Sequence, residues 1–245
     1  MTVSTSRPVV LVHGGFHGAW CWHKVVAQLR GYGREVYALD LSGAGGRVHL
    51  LTSRLTQEDR IADVVGFIES RELDEVVLCV HSAGGMMGAG VVDRIPERIH
   101  HAIFLDACVP RSGESLLDVI GNAEGVHDVY RQDAQENGDG WRLSASTLPP
   151  DLFGLEGEAD QQLFLRRRTD DSLNIWSEPL THGASFKTFT GRTYVRFEGM
   201  PMGFSSRIVE TLEQDPTWET ARWDTGHDAM LSHPSMVTEL IQDVS

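Results

Sequence analysis

The sequence predicts an α/β fold: a mostly parallel sheet flanked by helices, with a helical segment inserted late in the chain. Three observations predict it. First, short and nearly continuous apolar runs alternate with stretches of helical spacing from Pro8 to Leu105, the pattern of parallel strands buried on both faces and joined by crossover helices. Second, the run Val76 to Val80 passes straight into His81-Ser82-Ala83-Gly84-Gly85 and then into a small-residue, helix-compatible stretch, Met86 to Val92. Third, the chain after Pro110 is polar and mostly helical by propensity until about Ser185, and sheet character returns only at Thr193. A stretch this long between sheet elements is an inserted cap rather than a loop.

Taken in order, Pro8 to His13 reads as the first strand and ends in the loop Gly14-Gly15-Phe16-His17-Gly18. Trp20 to Arg30 has helical spacing, with Trp22, Val25, Val26 and Leu29 on one side and Gly31 and Gly33 as stop signals. Glu35 to Asp40 is a second strand, followed by the glycine-rich loop Ser42 to Gly46, which Asp40 is placed to brace. Thr56 caps a helix running to Ser70, with Ile61, Val64, Val65 and Ile68 on one face. The Ser82 strand and helix come next, closing near Pro96, and Ile99 to Leu105 is a fourth strand ending in Asp106. Beyond the cap, Thr193 to Phe197 is a strand, Phe204 to Gln214 a helix, Thr220 to Trp223 the last strand, and Pro234 to Val244 the last helix.

A chain of 245 residues can bury a large core as one domain. Its net charge of -14 comes from 21 basic and 35 acidic residues spread without long like-charge blocks, which argues against nucleic acid or an anionic membrane as partner. Residues 1–8 lack a basic region, and the apolar run Val9 to Val12 is too short for a signal-peptide core or a membrane span. The expected location is therefore the cytoplasm. Cys21, Cys79 and Cys108 are isolated in apolar surroundings and read as reduced packing residues, with a cysteine nucleophile the lesser alternative. The histidines lack ligand spacing such as H-E-x-x-H, so no metal and no cofactor are implied. The oligomeric state is open, with a homodimer among the expectations.

Ligands of open α/β sheets collect at the carboxyl ends of the strands. The polar residues at those ends are His13, Asp40, Ser82, Asp106, Glu198 and His227. A serine held between strand and helix is forced out of the backbone, with the next N–H and the helix N-terminus aimed at any oxyanion its attack creates. Ser82 is therefore the nucleophile candidate, although Val80 stands where the usual G-x-S-x-G turn has its first glycine. His227 follows the last strand in a Gly-His-Asp turn and is the base candidate. Asp106 is favoured over Glu198 as the acid that orients His227, because an aspartate ending an apolar strand is costly to bury unpaired. Asp224 is a poor third, being too close in sequence to His227. Gly15 and Ala83 are the expected oxyanion donors, with Phe16 the alternative to Gly15. His13 and His17 shape that loop, and His81 packs under the turn. Phe16, Trp141, Phe153 and Trp176 are the candidate pocket liners.

The stretches Val10 to Lys24 and Val36 to Gly43 resemble the α/β-hydrolase branch that holds plant hydroxynitrile lyases and plant methyl-ester esterases. The loop Gly43 to Leu51, the strand end Phe104 to Pro110 and Gly226 to Leu231 are closer to bacterial esterase relatives of that branch. The resemblance implies an α/β-hydrolase fold, residues 1–110 and 186–245 forming the core and 111–185 a helical cap. It also implies Ser82, His227 and a carboxylate as a triad acting on a small, uncharged, moderately hydrophobic ester or lactone. The lyases carry a hydroxyl residue after the first-strand histidine and a lysine after the catalytic histidine. Gly14 and Asp228 stand there in this chain, which argues against hydroxynitrile lysis. Cofactor-free dioxygenases of the same fold also have their acid after the Asp106 strand and use the histidine as a base on ring-hydroxylated heteroaromatics. They and a non-catalytic ligand-binding member are the alternative classes.

Overall fold

The computed structural model describes residues 7–121, 125–199 and 204–245. Residues 1–6, read above for targeting signals, and Met200 to Met202 after Glu198 lie outside them. In chain order the sheet and helix elements are β1 Val9–Val12, α1 His23–Gly31, β2 Val36–Leu39, α2 Gln57–Ser70, β3 Val76–His81, α3 Gly84–Arg94 and β4 Ile99–Leu105. Then come α4 Leu116–Ile120, α5 Val126–Asn137, β5 Arg142–Leu143, α6 Glu158–Arg167, β6 Asp171–Ser172, α7 Leu173–Ser177 and α8 Ala184–Thr188. The chain closes with β7 Arg192–Phe197, α9 Phe204–Leu212, β8 Glu219–Trp223, α10 Ala229–Ser232 and α11 Pro234–Asp243.

Six strands form one sheet in the order β2-β1-β3-β4-β7-β8, and every neighbouring pair in it is parallel. Alternation within each strand explains why its apolar runs are continuous. Val10, Val12, Leu78, Val80 and Phe104 enter the core on the α2 and α3 side, while Val9, Leu11, Val77, Cys79 and Leu105 enter the core under α1 and α11. With both faces covered, a strand has no position at which a polar residue costs nothing.

Helix starts follow their caps. Thr56 accepts from the Asp59 N–H while the Asp59 carboxylate accepts from the Thr56 N–H, a reciprocal pair that fixes the start of α2. Ser115 and Asp118 do the same for α4. The segment between β4 and β7 is mainly short helices, as its composition predicts. It also holds the two-stranded antiparallel β5–β6 ladder, which the sequence reading did not anticipate; two residues per strand are too few for a pattern.

Candidate active site

Register brings the chemistry together. His81 pairs with Leu105 at the end of the β3–β4 ladder, so the next residues, Ser82 and Asp106, stand side by side at the carboxyl edge of the sheet. Both turn sharply there, with φ of 54° and 41°, the left-handed region that side chains rarely adopt. The Ser82 turn is fixed on both sides. Its N–H donates to the Leu105 carbonyl at 3.2 Å, and its own carbonyl accepts from the Gly85 and Cys108 N–H groups at 3.0 and 2.9 Å.

The missing first glycine of the turn is accommodated from the opposite side. A Cβ on Gly88 would lie 3.0 Å from both Val80 methyls, so α3 supplies the room that a glycine at position 80 would otherwise leave. A Cβ on Gly84 would lie 2.7 Å from the His13 carbonyl oxygen, so this turn glycine is needed for α3 to approach β1.

Asp106 is fully buried and accepts from His227 Nδ1 at 2.7 Å. Its other oxygen accepts from the Phe197 N–H at 3.3 Å. The imidazole is therefore held as the Nδ1–H form, which leaves Nε2 as the basic nitrogen. Glu198 goes elsewhere: its partly exposed carboxylate meets Arg222 at 3.1 Å and Arg196 at 3.4 Å. The structure thus joins His227 to Asp106 and not to Glu198.

Ser82, Ala83, Gly15, Phe16 and His227 line one cavity of about 40 Å³. Among the described residues, the N–H groups of Gly15, Phe16 and Ala83 have no hydrogen-bond acceptor. Phe153 and Trp176 line the cavity too, and Tyr130, Cys108, Leu116, Ile120, Leu148 and Leu152 complete it. Trp141 is a correction, since it is not among these residues; it precedes β5, where its carbonyl accepts from the Leu173 N–H. A tryptophan beside glycines gave no local sign of the difference. Tyr130 escaped the sequence reading for the converse reason, sitting in a largely polar helix of which Ala134 is the fully buried residue. Burial pushes its phenol up to about 12, so it stays a neutral donor.

The supporting residues are also in view. Asp40 braces the glycine-rich loop, accepting from the Gly46 N–H at 3.0 Å and the Ala19 N–H at 2.7 Å. His81 packs beneath the turn, with Nε2 2.9 Å from the His227 carbonyl, and burial drives it well below the ordinary imidazole value. All three cysteines are free and buried, and burial raises each thiol, which leaves little thiolate for nucleophilic attack. A larger cavity of about 480 Å³ lies between α8, α9 and the loop from Val109 to Glu114, and neither Ser82, Asp106 nor His227 lines it. Among the described residues no three His, Cys, Asp or Glu side chains converge as metal ligands, and no helix is long and apolar enough to cross a membrane.

The profile described as "Alpha/beta hydrolase family" matches residues 9–240. The chain belongs to that family. Within the alpha/beta hydrolases it is 33% identical to a carbendazim hydrolyzing esterase of Nocardioides sp. (strain SG-4G), over 94% of this chain and 96% of that one. It is 40% identical to methyl jasmonate esterase 1 of Vitis vinifera, over 46% of this chain and 44% of the grape protein. Among solved hydrolase structures, an extracellular α/β-hydrolase from a Paenibacillus species superposes with a TM-score of 0.81 at 22% identity, covering 98% of this chain and 99% of the other. That last likeness is one of fold.

Proposed function

We propose that the chain is a serine carboxylesterase that cleaves small, uncharged, moderately hydrophobic esters through an acyl-enzyme. The observation that carries this reading is the pairing of buried Asp106 with His227 at 2.7 Å, beside a serine in a strained strand-to-helix turn on the same cavity. Ser82 Oγ attacks the ester carbonyl, His227 Nε2 takes the hydroxyl proton, and the tetrahedral oxyanion lies against the Gly15 and Ala83 N–H groups. His227 then returns the proton to the leaving alcohol, and a water activated by the same nitrogen releases the acid. Residues 1–110 and 186–245 supply this machinery, and 111–185 form the cap that closes the acyl or alcohol pocket.

Substrate class follows from the lining. No Asp, Glu, Lys or Arg lines the cavity among the described residues, so a charged group there would lose its hydration without a partner. Phe16, Tyr130, Phe153 and Trp176 give the cavity an aromatic, apolar wall, and its volume of about 40 Å³ favours a short acyl or alkoxy group there. The carbendazim hydrolyzing relative supports carbendazim as a test substrate beside the simple esters.

Turnover of p-nitrophenyl acetate and butyrate by folded variants tests this. Ser82→Ala is expected to lose at least three orders of magnitude and Asp106→Asn about four, while Glu198→Gln stays within about twofold, as expected of a surface ion pair. A damaging Glu198→Gln with a harmless Asp106→Asn would replace the acid. The position of Asp106 after β4 also supports one competing reading, a cofactor-free dioxygenase. That enzyme would consume oxygen with a ring-hydroxylated heteroaromatic after Ser82→Ala and stop with His227→Ala. A purely binding member would leave Ser82 unlabelled by an organophosphonate.

A further inference from the structure

The oxyanion loop is His13-Gly14-Gly15-Phe16-His17, and each of its two inner peptide planes is gripped by a histidine. His13 Nδ1 lies 2.7 Å from the Gly14 carbonyl oxygen, and His17 Nδ1 lies 2.7 Å from the Gly15 carbonyl oxygen. A carbonyl only accepts, so both Nδ1 atoms carry hydrogen. In a trans peptide the C=O and N–H point in opposite directions, and the chain has no cis bond among the described residues. Holding the Gly14 oxygen therefore aims the Gly15 N–H, and holding the Gly15 oxygen aims the Phe16 N–H. These are the two N–H groups that compete for the oxyanion on this side of Ser82.

The two histidines then differ. His13 Nε2 accepts from the Leu41 N–H at 3.2 Å, so its ring is complete as a neutral imidazole. His17 Nε2 instead meets the Asp228 carboxylate at 2.9 Å. With an acceptor at each nitrogen, His17 needs two ring hydrogens, and that makes it an imidazolium. Both members of the pair are buried, at 1% and 0% side-chain exposure. The second Asp228 oxygen has no hydrogen-bond donor among the described residues and lies 3.9 Å from His81 Nε2. Burial alone would lower the His17 ring, but the charge and hydrogen bond of Asp228 outweigh it and leave the ring above its ordinary value. The other ionisable rings facing His17 are His81, edge-on with centroids 5.9 Å apart, and His13; Trp20, Phe153 and Phe164 close the rest of its surface.

Asp228 directly follows His227. We infer that His13 and His17 are positioning residues that lock successive peptide planes of the oxyanion loop, and that the His17–Asp228 pair is an imidazolium–carboxylate strut. It spans 211 residues of sequence and fixes the oxyanion loop relative to the segment that carries the base. This rests on the esterase reading for its kinetic consequence, while the protonation state of His17 stands independently of it.

The test has two arms. Ring 15N resonances of His17 in the wild-type protein near pH 6.5 are expected to show two protonated nitrogens; a single protonated nitrogen overturns the strut whatever the enzyme hydrolyses. In the second arm, Asp228→Asn and His17→Asn are assayed per active site titrated with an organophosphonate. The expected result is a fall in kcat of about tenfold to a hundredfold, short of the loss for deleting an oxyanion donor outright, with KM within about twofold. Affinity for an alkyl boronic acid, which mimics the tetrahedral state, should fall by the same factor. A merely structural pair would lower Tm and the titratable fraction but leave kcat per site at the wild-type value, and that result overturns the positioning role. Should wild type cleave no ester, the esterase reading fails while the resonance arm still decides the strut.

Discussion

His13 and His81 sit in the molecule as neutral rings, and that has an acid cost. Burial holds His13 down at about 4, against 6.5 in the unfolded chain, so unfolding takes up a proton as the pH falls through that window. The stability that goes with the neutral ring is complete above 6.5 and is lost progressively toward 4. For a shift of this size the loss is about 3 kcal/mol. His81, driven lower still by burial and by His227, adds in the same direction. His17 has the opposite sign: its ring is raised, so its contribution is complete below 6.5 and is lost as the pH rises through the folded value. The histidines together therefore place maximum stability near the ordinary imidazole value. Urea midpoints measured from pH 4.5 to 8.5 should fall on both sides of it, and His13→Gln should flatten the acid limb; an unchanged acid limb in that variant would show that His13 contributes nothing to it.

At the scale of elements, the cap is fastened to the core by a buried ion pair. Arg60 of α2 places Nη2 2.8 Å and Nη1 3.3 Å from the Asp171 carboxylate of β6, and its Nε donates to the Ser42 carbonyl at 3.0 Å. The same carboxylate accepts from Trp176 Nε1 at 3.0 Å, so the fastening also sets one wall of the cavity that Ser82 and His227 line. Arg60→Met would leave Asp171 charged, buried and short of its partner, at a cost of about 3–5 kcal/mol. Pairing it with Asp171→Leu should recover much of that loss, and urea titration of the three variants measures the coupling. A full loss in the double variant as well would mean that packing, not charge, holds the cap.

The strands and their order of succession were legible because a strand buried on both faces must be apolar throughout, and α2 because Thr56 announces its start. Ser82, Asp106 and His227 were legible as candidates because each ends a readable strand or follows one. The cap was not. Arg60 and Asp171 lie 111 residues apart, and nothing local to either marks a partner. Tyr130 and Leu148 line the cavity through tertiary packing alone, and Trp141 is not among its liners.

For the molecule as a whole, charge and site pull in one direction. The net charge of -14 surrounds a cavity with no charged liner among the described residues, so an anionic ester is repelled at long range and meets no compensating cation among them on arrival. Raising ionic strength from about 0.01 to 0.5 M shortens the screening length severalfold. It should raise kcat/KM for a singly negative ester while leaving neutral p-nitrophenyl acetate unchanged. Equal salt responses for the two substrates would mean that the field does not reach the site.

Two links between cap and core are made by backbone atoms only. The Thr169 N–H donates to the Phe16 carbonyl at 3.0 Å, and the Phe153 carbonyl accepts from the Asp228 N–H at 3.0 Å. They pin the cap at the loop that carries Gly15 and Phe16 and at the turn that carries His227. A carbonyl belongs to every residue and an N–H to every residue but proline, so neither pin depends on which side chain stands at 153 or 169. The walls of the pocket are thus free to be rewritten while its distances stay put. Such a frame can drift among substrates, one cap side chain at a time, without rebuilding its chemistry at each step.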